Sequence, residues 1–93
     1  MSTPELRASW ATSLRHLAAS RFYLAHTLPS AEAAQCWSDA EDYLHHNELG
    51  LALDCLVALG EACDAPPEFW RELLLAASNM RAGGIADAIR AKL

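Results

Sequence analysis

The sequence predicts an all-α protein, on three observations. Nineteen Ala and fifteen Leu fill 34 of the 93 positions, and both residues favour helix. Only six residues are β-branched (Thr3, Thr12, Thr27, Val57, Ile85 and Ile89), too few to furnish the strands of a sheet. Apolar positions also recur at three- and four-residue intervals along most of the chain. A chain of this length buries about two-thirds of its unfolded surface and supports one core, so residues 1–93 read as a single helical domain. The expected architecture is a compact bundle of four main helices, with room for a short C-terminal helix.

The first helix is expected from about residue 4 to 27. Ser2 and Thr3 precede Pro4, the arrangement of a hydroxyl cap followed by proline in the first turn. Leu6, Trp10, Leu14, Leu17, Leu24 and Leu28 set the apolar stripe with Ala18, Phe22 and Ala25 alongside, and Pro29 disfavours helix at Leu28. Tyr23 falls beside that stripe. Ser30 caps a second helix, with Glu32 in its first turn where the helix dipole favours negative charge. Cys36, Trp37, Ala40, Tyr43 and Leu44 form its apolar face, opposite Gln35, Ser38, Asp39, Asp42 and His46. Asn47 then either ends this helix in a left-handed conformation or caps the next.

The third helix, roughly 48–62, is apolar nearly all round (Leu49, Leu51, Ala52, Leu53, Leu56, Val57 and Leu59) and is therefore central. Glu48, Asp54 and Glu61 mark its solvent strip. Gly50 and Gly60 lower helix propensity and imply a close approach of a neighbouring helix at one or both. Pro66 and Pro67 open the fourth helix, whose face of Phe69, Trp70, Leu73, Leu74, Ala77 and Met80 continues until Gly83 and Gly84 interrupt it. A tail helix from Ile85 to Lys92 fits the remainder.

Charge is strongly segregated. Between Arg21 and Arg71 there is no Lys or Arg but nine acids (Glu32, Asp39, Glu41, Asp42, Glu48, Asp54, Glu61, Asp64 and Glu68), while the two ends hold all seven cations against three acids, for a net charge of −5. Phosphate contacts need Lys and Arg, so direct nucleic-acid binding through the middle is disfavoured and a basic protein partner is favoured. Asp39, Asp42, Glu48, Asp54 and Glu61 are the candidate partner-binding residues. No apolar run approaches the ~20 residues needed to cross a bilayer, and Met1 to Glu5 lacks the basic flank of an export signal, so no membrane role and a cytoplasmic location are expected. Cys36, Cys55 and Cys63 lack CxxC spacing and read as free core thiols in a reducing compartment.

No catalytic constellation is legible, and the chain reads as a non-enzyme without a cofactor. His45 and His46 are adjacent and so diverge by about 100° on a helix. Asp42 and His46 could meet, but no third ligand stands at helical spacing, so no metal site is expected. His16 and His26 lie some 15 Å apart along a helix axis. Gly83–Gly84 lacks the pattern and the preceding strand of a phosphate loop.

His46-Asn47-Glu48-Leu49-Gly50-Leu51-Ala52-Leu53-Asp54-Cys55-Leu56 resembles the Glu-x-Gly-Leu-Ala-Leu-Glu/Asp-x-Leu signature of small helical immunity proteins of the MafI type. The likeness is sharpest over 46–56 and extends loosely to about 80; Leu49 stands where the family often carries an aromatic residue. The resemblance implies a bacterial protein that binds and neutralises a cognate toxin, with the toxin gene lying beside its own. A nuclease, whose groove must be basic, fits the acidic middle. The alternative reading is a non-enzymatic helical interaction or scaffold module, for which a homodimer stays open.

Overall fold

A computed structural model describes residues 3–93, and Ser2, the other candidate cap, lies outside them. Among the described residues there are five α-helices and no strand: α1 (Pro4–Ser20), α2 (Ala31–His45), α3 (Leu49–Cys63), α4 (Pro67–Asn79) and α5 (Gly83–Arg90). The radius of gyration, 12.6 Å, matches the roughly 12 Å expected of a compact chain this long. Helix starts follow the sequence signals. Thr3 Oγ1 accepts the Leu6 amide at 3.1 Å with Pro4 behind it, and Ser30 Oγ accepts the Ala33 amide at 3.1 Å. Pro67 occupies the first turn of α4.

Helix ends depart from expectation at two places. α1 stops at Ser20, seven residues early, and the chain tightens into a 3-10 turn, Arg21–Tyr23. Leu24 beyond it is extended, with its amide bonded to the Arg21 carbonyl at 3.2 Å. Arg21 instead holds the irregular chain beyond it, donating to Ala25 O at 3.0 Å and His26 O at 2.9 Å. Leu24 and Leu28 still pack on the core, but from irregular chain. α4 likewise ends at Asn79 rather than at the glycines, and Gly83 and Gly84 open α5 with negative φ.

α2, α3 and α4 finish in the same way. Asn47, Asp64 and Arg81 take left-handed φ of 57°, 51° and 59°. In each case the next amide reaches back to the carbonyl five residues earlier: Glu48 to Tyr43, Ala65 to Gly60 and Ala82 to Ala77, all at 2.9 Å. This is the Schellman ending, which satisfies the last carbonyls without water. Glycine usually supplies the left-handed residue; here none of the three is glycine.

α3 is the shared element. It contributes Leu49, Ala52, Leu53, Leu56, Leu59 and Gly60 to the buried interior. α2 packs most extensively on α3 and α1 on α4, while α3 also meets both α1 and α4, and α5 rests on α4. The α1–α4 pair is antiparallel and polar along one seam. His16 Nδ1 lies 2.8 Å from Glu72 Oε2, and Asn79 Nδ2 donates to Ser9 O and to the buried Ser13 Oγ, both at 2.8 Å.

The two glycines of α3 separate in role. A Cβ on Gly60 would sit 2.7 and 2.8 Å from Trp70 Cη2 and Cζ2 and would overlap Phe69 Cε1, whereas nothing lies within 4 Å of one on Gly50. Close approach is therefore made at Gly60 alone. Gly60→Ala is expected to destabilise by about 1–3 kcal/mol, the usual result of overpacking, and Gly50→Ala to stabilise by about 0.5–1 kcal/mol through helix propensity. Urea unfolding of the two variants checks both, and equal midpoints would refute the assignment.

Candidate acidic interface

The five candidate residues are all exposed but do not form one patch. Asp39 and Asp42 share the outward face of α2 with Ser38, Glu41 and His45, around a shallow depression of about 380 Å³. Gln35 Nε2 donates to Asp39 Oδ1 at 2.8 Å, and Asp42 Oδ1 lies 3.7 Å from His46 Nδ1. Glu48 stands at the α2–α3 corner as the residue preceding α3, and its side chain makes no capping bond. Asp54 and Glu61 are seven residues apart on α3 and so share a helix face. Glu61 is drawn away to the far end, 3.8 Å from Lys92 Nζ.

Half-buried Cys55 links the two helices electrostatically. Burial pushes its thiol up first, and Asp39, Cys36 and Asp54 add to the effect. Cys36 is raised by burial and then by Glu32 and Asp39. Cys63 is raised by burial against the opposing charge of Arg21. All three cysteines are free and half-buried, at the core's edge rather than within it. Such thiols hold little thiolate at neutral pH and are poor nucleophiles.

Charge is unevenly placed along α2. Its first turn holds Glu32, where the dipole favours it, but Asp42 stands in the last turn, where the dipole opposes it, with Asp39 one turn before it as a like-charged neighbour and Glu41 adjacent. Neither α2 nor α3 carries a Lys or Arg. Two cations reach the pair from outside, Lys92 at Glu61 and Arg21 over the Trp37 ring, 5.5 Å from its centroid.

A second concave feature was not foreseen. An open groove of about 750 Å³ runs between the start of α1, the start of α3 and the end of α4, with Leu6, Trp10, Leu49 and Met80 along it and Ser9 and Asn79 in its polar part. Trp10, expected in the core, is 38% exposed here, and Leu6 43%. Phe22, also expected in the core, is 87% exposed. The signal for it lay in the sequence: on a continuous helix Phe22 is 140° round from Leu17, well off the stripe. Tyr23 is exposed beside it.

Among the described residues, no three His, Cys, Asp or Glu side chains are placed to hold a metal ion, and no helix is long and apolar enough to cross a membrane. No family model, curated protein or solved structure matches the chain.

His46 is the titratable group on the acidic face whose equilibrium is displaced. Its pKa is raised, first by the Asp42 carbonyl 2.8 Å from Nδ1, then by the Asp42 carboxylate and Glu48. A raised value means that the folded state favours the imidazolium. The associated stability is fully present below the ordinary pKa near 6.5 and is lost as pH rises through the folded value. NMR titration should place His46 above 6.5, and Asp42→Asn should lower it only part of the way because the carbonyl stays. A His46 pKa at or below 6.5 would contradict this geometry.

Proposed function

We propose that this chain is an immunity protein that binds and neutralises a basic toxin domain through the acidic face of α2 and the adjoining exposed acids of α3. One observation carries the reading. Asp39, Glu41 and Asp42 are exposed and crowded on the C-terminal half of α2, Asp42 in the last turn where the dipole opposes it, on a helix pair with no Lys or Arg of its own. Charge kept at a cost to the fold is what a binding face requires. The resemblance of residues 46–56 to MafI-type immunity proteins supports the same class. A nuclease is the toxin best suited, since its substrate groove must be cationic, and an acidic inhibitor is steered to such a groove with faster association.

The face would act by occlusion, with preformed helix in place of substrate phosphates. Asp39, Asp42, Glu48 and Asp54 form its charged part, and Glu61, held by Lys92, lies at its margin. A homodimeric helical module is the second reading, and the open groove at Leu6 and Trp10 is the feature that favours it.

Replacing Asp39 and Asp42 with Lys should slow association with the toxin domain encoded beside this gene by roughly tenfold at low salt and flatten its salt dependence. Both side chains are exposed, so the fold should persist. Stopped-flow kinetics at low and high salt check this. Unchanged rates at both salts would remove α2 from the interface, and a wild-type chain that ignores the toxin and sediments as a dimer would favour the second reading.

A further inference from the structure

The open groove between α1, α3 and α4 carries both members of an ion pair that this chain does not make with itself. Glu5, in the first turn of α1, and Arg81, just past the end of α4, both line it and are both exposed. Neither forms an ion pair with a described residue. Leu6 and Trp10 are exposed along the same groove, so one surface offers apolar side chains and a hollow of about 750 Å³. Gly50 leaves that hollow wider, since a Cβ there would meet nothing within 4 Å. Arg81 also stands where a glycine would sit more easily. Its φ is 59°, while Gly83 and Gly84, two and three residues on, do not take positive φ.

We infer that this groove is a two-fold contact between two copies of the chain, in which Glu5 of each copy pairs with Arg81 of the other and Trp10 of each lies in the other's hollow. Charge points to a second copy. The lining holds one acid and one cation, so it has no net charge with which to select a basic or an acidic partner. An isologous contact instead needs both members of every pair on one surface, because residue i meets j and j meets i. The apolar side chains and the hollow beside them meet the same requirement. Glu5 is the one acid in the lining, and no residue of α2 belongs to it, so the acids that would repel a second copy are not those that meet it. Their remaining repulsion is screened over about 8 Å at physiological salt. The inference goes beyond the toxin-binding role and is tested without a toxin; the dimer would leave the acidic side of each α2 outside the contact.

Analytical ultracentrifugation of the purified chain over a concentration series, at about 0.15 M salt, should show monomer passing to dimer. Trp10→Ala, felt twice in each dimer, should raise the dissociation constant at least about 30-fold. Glu5→Arg and Arg81→Glu should each raise it by roughly tenfold. The double reversal Glu5→Arg/Arg81→Glu should recover most of the affinity, because each charge again meets its opposite. Gly50→Gln puts a polar side chain into the hollow from an open helical position, so it should block the dimer while melting no lower than the wild type. A wild type that stays monomeric at every concentration would overturn the inference. So would a dimer that neither Trp10→Ala nor Gly50→Gln weakens, which would place the contact elsewhere. A double reversal no tighter than either single reversal would refute the reciprocal pairing of Glu5 with Arg81.

Discussion

The rest of the structure depends on one close contact, the approach of the α3 backbone at Gly60 to the rings of Phe69 and Trp70. Those rings meet edge to face with centroids 5.2 Å apart. They reach the α3 backbone because Gly60 has no Cβ to hold them off. The same residue offers its carbonyl to the Ala65 amide, ending α3, and Trp70 Nε1 donates to the Ala65 carbonyl at 3.2 Å. One small region therefore stops α3, starts α4 and fixes the angle between them. Lys92 closes it from outside, 5.5 Å over the Trp70 ring and 3.8 Å from Glu61. With α3 and α4 locked, α1 lies antiparallel on α4 and α2 folds back on α3, which leaves the acidic side of α2 facing solvent.

That division of labour explains how the chain can keep an unfavourable charge pattern. Interior contacts come mainly from α3 and α4, through fully buried Leu53, Leu56, Leu59, Phe69 and Leu73. α2 contributes two fully buried residues, Ala33 and Ala40, and half-buried Cys36, Trp37, Tyr43 and Leu44. A helix that supplies few of the deepest contacts can hold acids at its dipole's negative end at tolerable cost. On the proposed reading, these acids steer a basic partner.

How much of this was legible in the sequence varies with the physics of each feature. Helix starts were readable because Thr3, Ser30 and Pro67 act locally, through one hydroxyl or one missing amide. Helix ends were less so. Asn47 takes the left-handed ending, one of the two roles open to it, but Asp64 and Arg81 adopt the same geometry without a sequence signal, whereas Gly83 and Gly84, which looked like a stop, begin a helix. The early end of α1 depends on Arg21 reaching carbonyls four and five residues ahead and a ring sixteen ahead, which periodicity does not encode. Of the candidate site, the exposure of Asp39 and Asp42 followed from their place opposite an apolar stripe, and that of Glu48, Asp54 and Glu61 from the cost of burying an unpaired charge. Their grouping was not: Glu61 belongs to the Lys92 end, and Glu41, left out of the set, sits between Asp39 and Asp42.

The central claim is that the acidic side of α2, with the adjoining acids of α3, forms the face that meets a basic partner. Hydrogen exchange read by mass spectrometry, on the free protein and on its complex with the basic toxin domain that the proposed reading requires, tests it most directly. Exchange slows where a partner covers or stiffens the backbone. The account predicts added protection over 38–46, with the groove segments 5–10 and 79–82 unchanged. Protection confined to the groove segments, with α2 exchanging as in the free protein, would contradict it.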